Sequence, residues 1–90
     1  MNVIIKHIEL IERIDQLIRM QATGTPAELA TKLGVSRTKL YRLIKMMKSL
    51  NAPVQYNIAL QSYVYEEAVG FRFGFFTKET KVRELHPIVG

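Results

Sequence analysis

Apolar residues recur every three or four positions along the first part of the chain, which places them on one side of a helix. This spacing predicts a long amphipathic helix over residues 3–22. The residues on its apolar side are Ile4, Ile8, Leu10, Ile11, Ile14, Leu17 and Ile18. They cover nearly half of the helix circumference, whereas a surface helix needs a stripe of about 100°. We therefore expect part of this face to contact a partner. The alternative is a short coiled coil, but Asp15 would then fall in the apolar seam of the coiled coil.

The next segment carries signals for both ends of a short helix. Thr25 and Glu28 have the spacing of a capping box, and Pro26 stands at the first helical position, where no N–H donor is required. Gly34 falls where a left-handed residue commonly ends a helix. Together these residues predict a second helix over residues 26–33.

A third helix is predicted from Ser36, which can cap its first turn, to about Leu50, because Pro53 forbids its continuation. Its apolar residues share one face and are predicted to lie in the core: Leu40, Leu43, Ile44, Met47 and Leu50. The opposite face carries polar and basic residues. This helix therefore has one side for the core and one for solvent or a ligand.

Beyond the third helix the pattern changes to short stretches of aromatic and β-branched residues, which are typical of strands. Residues 53–56 and 63–66 predict a hairpin whose turn lies between them. In residues 69–76, a valine and phenylalanines alternate mainly with glycine and arginine, which predicts a third strand. Little periodicity remains in residues 77–90, which we interpret as a mobile tail. The elements predict one α+β domain over residues 1–76, with three helices and a two- or three-stranded antiparallel sheet.

Most of the positive charge is concentrated in one short segment. The chain has 13 Lys and Arg residues and 8 Asp and Glu residues, which gives a net charge of +5. Six of the basic residues and no acid lie between positions 32 and 48, so the rest of the chain has 7 basic and 8 acidic residues. A basic segment of this kind is typical of a protein that binds DNA or RNA. It is less typical of a protein that binds a membrane surface. The alternative is a solvated helix face that binds nothing.

Several classes of function are excluded by composition. The chain has no cysteine, which excludes disulfides and thiolate-bound metals and fits the reducing cytoplasm. Charged residues interrupt every long apolar stretch, so no membrane span is expected. His7 and His86 stand alone, without the spacing of a metal site or of a nucleophile and its base, and no glycine-rich nucleotide loop is present. We therefore expect no enzyme activity, no cofactor, no metal and no small-molecule ligand.

The spacing of residues across the second and third helices indicates a specific motif. Two helices that cross in a helix-turn-helix need a small residue where they meet, a glycine in the turn and apolar residues that hold the second helix against the first. Ala30 and Gly34 meet the first two needs. The apolar residues are Leu29, Leu33, Val35, Leu40 and Leu43. Pro53 follows the third helix, and the predicted hairpin comes next. With these two features added to the motif, residues 3–66 resemble the winged helix-turn-helix domains of biotin-repressor-like and WYL-type bacterial transcription regulators.

This resemblance implies a winged helix-turn-helix domain whose third helix lies in the major groove of double-stranded DNA. The family pattern places four residues against the base edges: Arg37, Thr38, Tyr41 and Arg42. Lys39, Lys45 and Lys48 would contact phosphates. Apart from the resemblance, the free N–H groups and the dipole at the start of the second helix favour a further phosphate site at Thr25, although the capping box already uses some of these donors. The resemblance also implies a cytoplasmic transcription regulator. We expect a homodimer for a separate reason, because one domain reads only a few base pairs and a second half-site raises affinity and specificity. The apolar face of the first helix or the C-terminal strand would form its interface.

Three alternatives stay open beside this interpretation. A helical hairpin in an unrelated α+β domain would leave the basic third helix unexplained. The hairpin tip departs from the family pattern, because Ile58 and Leu60 stand where charged residues are usual. These two residues favour burial or contact with another protein, as in a winged-helix module that docks a protein partner. The aromatic residues of the strands invite comparison with sheets that stack the bases of RNA or of single-stranded DNA. Packing of the sheet onto the helices explains these residues better, and the charge of the third helix favours duplex DNA.

Overall fold

The computed structural model describes residues 3–71, which form three helices and a two-stranded antiparallel sheet. The elements are α1 (Val3–Arg19), α2 (Pro26–Leu33), α3 (Arg37–Ser49), β1 (Val54–Asn57) and β2 (Ser62–Tyr65). The predicted α+β class is confirmed. Of the predicted third strand, residues 69–71 are described and are not in a strand. Residues 72–76, and the predicted tail at residues 77–90, lie outside the described residues.

All three helices end in the same hydrogen-bonded motif, in which one residue adopts a left-handed conformation. Those residues are Gln21, Gly34 and Asn51, with φ values of 55°, 71° and 72°. After α1, the amide of Ala22 donates to the carbonyl of Leu17 at 2.8 Å. Glycine favours this conformation and marks the end of α2 in the sequence, whereas Gln21 carries no such signal. The predicted end of α1 at residue 22 is therefore wrong, and the helix ends earlier, at Arg19.

The predicted caps at the start of α2 and α3 are confirmed. Thr25 Oγ1 accepts a hydrogen bond from the amide of Glu28 at 3.2 Å, and the Glu28 carboxylate accepts one from the amide of Thr25 at 2.8 Å. These bonds lower the pKa of Glu28. Ser36 Oγ accepts a hydrogen bond from the amide of Lys39 at 3.0 Å. Hydrogen bonds therefore fix the start of both helices.

The core lies between the three helices and one side of the hairpin. Ile14 of α1, Leu29 of α2 and Leu43 of α3 have no exposed surface, and Val54 of β1 is buried with them. Leu50 departs from its predicted place in the core, because 61% of its surface is exposed. It caps the end of α3, where the chain leaves the helix through a left-handed turn, so the helical repeat no longer places it on the core face. The prediction of Leu50 as a core residue is wrong.

Both strands of the hairpin lie one residue closer to the turn than predicted. In the observed register Asn57 pairs with Ser62, so the strands begin and end one residue away from the predicted ranges. The side chain of Asn57 accepts a hydrogen bond from the amide of Leu60 at 2.9 Å and so closes the turn. Ile58 and Leu60 are 81% and 61% exposed at the tip. Of the two environments expected for them, burial within the described chain is wrong, and contact with a partner stays a prediction.

A buried hydroxyl joins the linker between α1 and α2 to β2. Thr23 has no exposed surface, and its Oγ1 accepts a hydrogen bond from the amide of Tyr63 at 2.8 Å. The same oxygen lies 2.9 Å from Ser62 Oγ and donates to the carbonyl of Gly24 at 3.0 Å. Because Tyr63 is 40 positions away in the chain, the pattern around Thr23 does not predict this contact.

Replacing Thr23 by valine is expected to destabilise the protein by about 1–3 kcal/mol, because a side chain of the same shape leaves the Tyr63 amide buried without its acceptor. Thr38→Val is the control, since Thr38 is exposed and its hydroxyl bonds to no other residue within 3–71. Urea unfolding measures the stability of both variants. A Thr23→Val protein as stable as the wild type would contradict the role assigned to this hydroxyl.

A second polar cluster holds β2 against α1. The buried carboxylate of Asp15 accepts a hydrogen bond from the Tyr65 hydroxyl at 2.6 Å. Arg19 donates to the same carboxylate at 3.0 Å, lies over the ring of Tyr65, and donates to the carbonyl of Val69 at 2.6 Å. Burial raises the pKa of Tyr65, and the hydrogen bond to Asp15 adds to this shift. Asp15, which interrupts the apolar pattern of α1, thus anchors the hairpin.

Candidate nucleic-acid interface

A short turn, residues 34–36, connects α2 to α3. The amide of Gly34 donates to the carbonyl of Thr31 at 3.1 Å, and the amide of Val35 donates to the carbonyl of Ala30 at 3.0 Å. Ala30 is buried, and its small side chain leaves room for another element to pack closely. The structure therefore places Ala30 in the core and Gly34 in the turn, as the spacing predicts.

One face of α3 is exposed along its whole length. It carries six of the eight residues predicted to bind DNA: Arg37, Thr38, Tyr41, Arg42, Lys45 and Lys48. Lys39, the seventh, is half-buried on the same helix. The buried residues of α3 are Leu40, Leu43, Ile44 and Met47. Apart from Leu50, the predicted division of this helix into a core side and a polar side is confirmed.

The basic side chains of α3 have no partner within the described chain. We call them the basic face; they are Arg37, Lys39, Arg42, Lys45 and Lys48. Their charged groups make no hydrogen bond or ion pair within residues 3–71, whereas Lys32 of α2 donates to the carbonyl of Ala22. No acid lies between Glu28 and Glu66 in the sequence. The positive charge of the basic face is therefore not neutralised by the residues described.

Thr25, the eighth predicted residue, begins α2 and not α3. Its hydroxyl and its amide are both used in the capping box with Glu28. A phosphate bound at this helix start would meet the carboxylate of Glu28, which its lowered pKa keeps ionised. The geometry therefore favours the capping role of Thr25, and the phosphate site there stays a prediction.

A cleft of 390 Å³ lies between α3 and β1, and we call it the α3–β1 cleft. Its polar lining residues are Tyr41, Lys45, Lys48, Gln55, Tyr56 and Tyr63. The rings of Tyr56 and Tyr63 meet edge-to-face, with centroids 5.1 Å apart. Burial raises the pKa of Tyr63, so its phenol stays neutral. The sequence pattern assigns these tyrosines to the sheet and misses the cleft, because alternation along one strand does not show which helix the strand borders.

A second groove, of 340 Å³, lies between α1 and α3 and is almost entirely apolar. Its lining includes Ile4, Ile8, Ile11, Met46, Leu50 and Phe71. Ile4 is 67% exposed at its edge. The groove contains part of the surplus apolar face that the pattern of α1 predicts.

Among residues 3–71 there is neither a cluster of side chains suited to a metal nor a membrane-spanning helix. No three histidine or acidic side chains come together there in a way that would hold a metal ion. None of the helices combines the length and the apolar character that crossing a bilayer requires. His7 lines the apolar groove, and His86 lies outside the described residues. The expected lack of enzyme activity stays a prediction.

Comparisons with protein-family models, with curated proteins and with solved structures find no match. The resemblance to winged helix-turn-helix regulators therefore stays a prediction. A fold of three helices and a hairpin is compatible with many activities, so the function is inferred from the charge and geometry of the site.

Proposed function

We propose that this chain is a winged helix-turn-helix domain that binds double-stranded DNA and acts as a small transcription regulator in the cytoplasm. The basic face of α3 carries this proposal. Its five positive charges repel one another on one short helix, and no acid of the described chain pairs with them. The phosphates of DNA supply the counter-charge, and binding releases the cations condensed on the duplex.

The residues of α3 suit two different parts of the duplex. A helix fits the major groove, where each base pair presents its own pattern of donors and acceptors. The residues proposed to face the bases are Arg37, Thr38, Tyr41 and Arg42. Arg42 suits bidentate pairing with guanine, and Thr38 suits contact with a thymine methyl group or with a phosphate. The lysines proposed to contact phosphates are Lys39, Lys45 and Lys48.

Binding of a random duplex across a salt series tests this proposal. Neutralising about four to six phosphates predicts that the logarithm of the binding constant falls against the logarithm of salt concentration with a slope of about −4 to −5. Fluorescence anisotropy of a labelled duplex measures this slope. A protein that does not bind duplex DNA even at low salt would contradict the proposal.

We further propose that the domain binds DNA as a homodimer, because one helix reads only a few base pairs and a second half-site raises affinity and specificity. The apolar groove between α1 and α3 is the proposed interface, whereas the C-terminal strand lies outside the described residues. Ile4→Glu places a charge in this groove, and we expect it to convert a dimer into a monomer in sedimentation experiments. A wild-type protein that stays monomeric while it saturates DNA would contradict the dimer.

A module that docks a protein partner is the second candidate function, and the hairpin tip favours it. Ile58 and Leu60 are exposed there, and the sequence has no lysine or arginine between positions 49 and 71. An apolar tip without cations suits a protein surface better than a phosphate backbone. The salt series separates the two candidates, because a docking module has no reason to bind duplex DNA with a steep salt dependence.

A further inference from the structure

The α3–β1 cleft combines positive charge with aromatic surface. Lys45 and Lys48 are exposed on its helix side, and Tyr41, which is 50% exposed, lies on the same helix. Tyr56 contributes a half-buried ring from β1. The volume of 390 Å³ falls within the range of about 300–1,000 Å³ that small-molecule sites occupy. The cleft thus suits a ligand that carries both a negative charge and a flat ring.

The polar groups of the cleft have no partner in the part of the chain that the structure describes. The hydroxyls of Tyr41, Tyr56 and Tyr63 make no hydrogen bond there, whereas the hydroxyl of Tyr65 donates to Asp15. The two lysine ammonium groups are also unpaired within residues 3–71. A ligand with several oxygen acceptors would satisfy these donors.

The cleft is continuous with the surface proposed to contact DNA. Tyr41 and Lys45 lie both on the exposed face of α3 and in the lining of the cleft. A nucleic acid bound along α3 therefore passes close to the cleft.

We propose that the α3–β1 cleft binds one unpaired nucleotide next to the duplex that α3 contacts, with its phosphate on Lys45 and Lys48 and its base against Tyr41 and Tyr56. Gln55 offers a donor and an acceptor to the edge of the base. This inference rests on the proposed function, because α3 must lie against nucleic acid for the cleft to be filled in this way.

An unpaired nucleotide uses the whole cleft, whereas a paired one uses only part of it. A nucleotide within a continuous duplex keeps its base in the stack and presents only sugar and phosphate to a nearby cation. The lysines alone would serve that contact. The ring of Tyr56, which is not among the residues proposed to face the duplex, contributes only when the base leaves the stack, as in proteins that hold single strands by stacking bases on aromatic side chains.

Three labelled DNA molecules test the inference by fluorescence anisotropy at one salt concentration. The first is a short blunt duplex, and the second is the same duplex with a single-stranded tail of three thymidines. The third carries a tail of three abasic sites, which adds the same charge without bases and so controls for the extra phosphates. We expect the wild-type protein to bind the thymidine tail about tenfold more tightly than the abasic tail, because each stacked base contributes strongly to binding.

Substitutions in the cleft assign this preference to its rings. Tyr56→Phe keeps the ring and is expected to keep the preference, whereas Tyr56→Leu keeps apolar volume without a ring and is expected to reduce it to about twofold or less. Because Tyr56 packs against Tyr63, thermal unfolding checks that both variants fold. If Tyr56→Leu does not fold, Tyr41→Leu replaces it, since Tyr41 is half exposed.

The outcomes separate this inference from the proposed function. Equal binding of the thymidine and abasic tails would overturn the cleft inference, and binding of the blunt duplex would then still support the duplex proposal. Binding of the thymidine tail without binding of the blunt duplex would contradict the duplex proposal, and it would also overturn the cleft inference as stated, because no duplex would then lie against α3 beside the unpaired nucleotide. Failure to bind any of the three molecules would overturn both. A preference that survives the loss of either ring would also overturn the cleft inference, because the base would lie elsewhere.

Discussion

The double variant Arg42→Ala, Lys45→Ala is expected to bind duplex DNA about 100-fold more weakly than the wild type at 0.1 M salt. Both side chains are exposed on α3, and neither has a partner within residues 3–71. Loss of an arginine that pairs with guanine costs roughly 1–3 kcal/mol, which is about tenfold or more in affinity. Loss of one lysine–phosphate contact adds about tenfold at this salt concentration and makes the salt slope shallower by about one unit.

The matched control is Lys6→Ala, Arg13→Ala, which removes two exposed cations from α1. Each double variant removes two cations and so lowers the net charge from +5 to +3. Under the proposal the control keeps nearly all of the affinity, since charges outside the interface act only at long range and are screened by salt. Anisotropy titrations at several salt concentrations give the affinity and the slope of both variants. An equal loss in the two would mean that net charge holds the DNA, and the proposed role of α3 would fail.

Local signals predict most of the helical part of the fold. The caps at Thr25 and Ser36 and the end of α2 at Gly34 depend on residues within a few positions of one another, so the sequence alone shows them. The ends of α1 and α3 depend on the same left-handed conformation at Gln21 and Asn51. These residue types mark a helix end less clearly than glycine does. For this reason the pattern predicts α1 too long and counts the residue that follows α3 among the core residues.

Part of the candidate site likewise depends on residues that are close together in the sequence, and part depends on residues that are far apart. The basic face of α3 follows from the repeat of about 3.6 residues within one helix, and the pattern therefore predicts it. The α3–β1 cleft depends on where the hairpin packs. Long-range hydrogen bonds help to fix that position, among them Thr23 with Tyr63 across 40 positions and Asp15 with Tyr65 across 50. Such pairs leave no periodic signal, so Asp15 is only an interruption of an apolar helix until the structure shows its partner.

The variant Leu43→Ala is expected to lose about 2–5 kcal/mol of stability, the range for truncating a fully buried leucine. Leu43 has no exposed surface and lies in the core cluster shared by the helices and the hairpin. The cost combines the apolar area returned to water with the cavity left behind. Small domains have total stabilities near the lower end of about 5–15 kcal/mol, so the loss is a large share of the total. Urea unfolding should show a lower midpoint with an unchanged slope.

Leu50→Ala is the matched control, because it removes the same atoms from a residue that the sequence pattern assigns to the core face of α3 and that the structure leaves at the surface. Since Leu50 is 61% exposed, its loss is expected to change stability by less than about 0.5 kcal/mol. Both variants are measured at protein concentrations low enough to keep the chain monomeric, because dimerisation would add its own stabilisation. Equal losses in the two variants would mean that Leu50 is buried and that the core extends beyond the end of α3. A large loss for Leu43→Ala alone would place the limit of the core at the left-handed turn after α3, which leaves Leu50 at the surface to line the apolar groove.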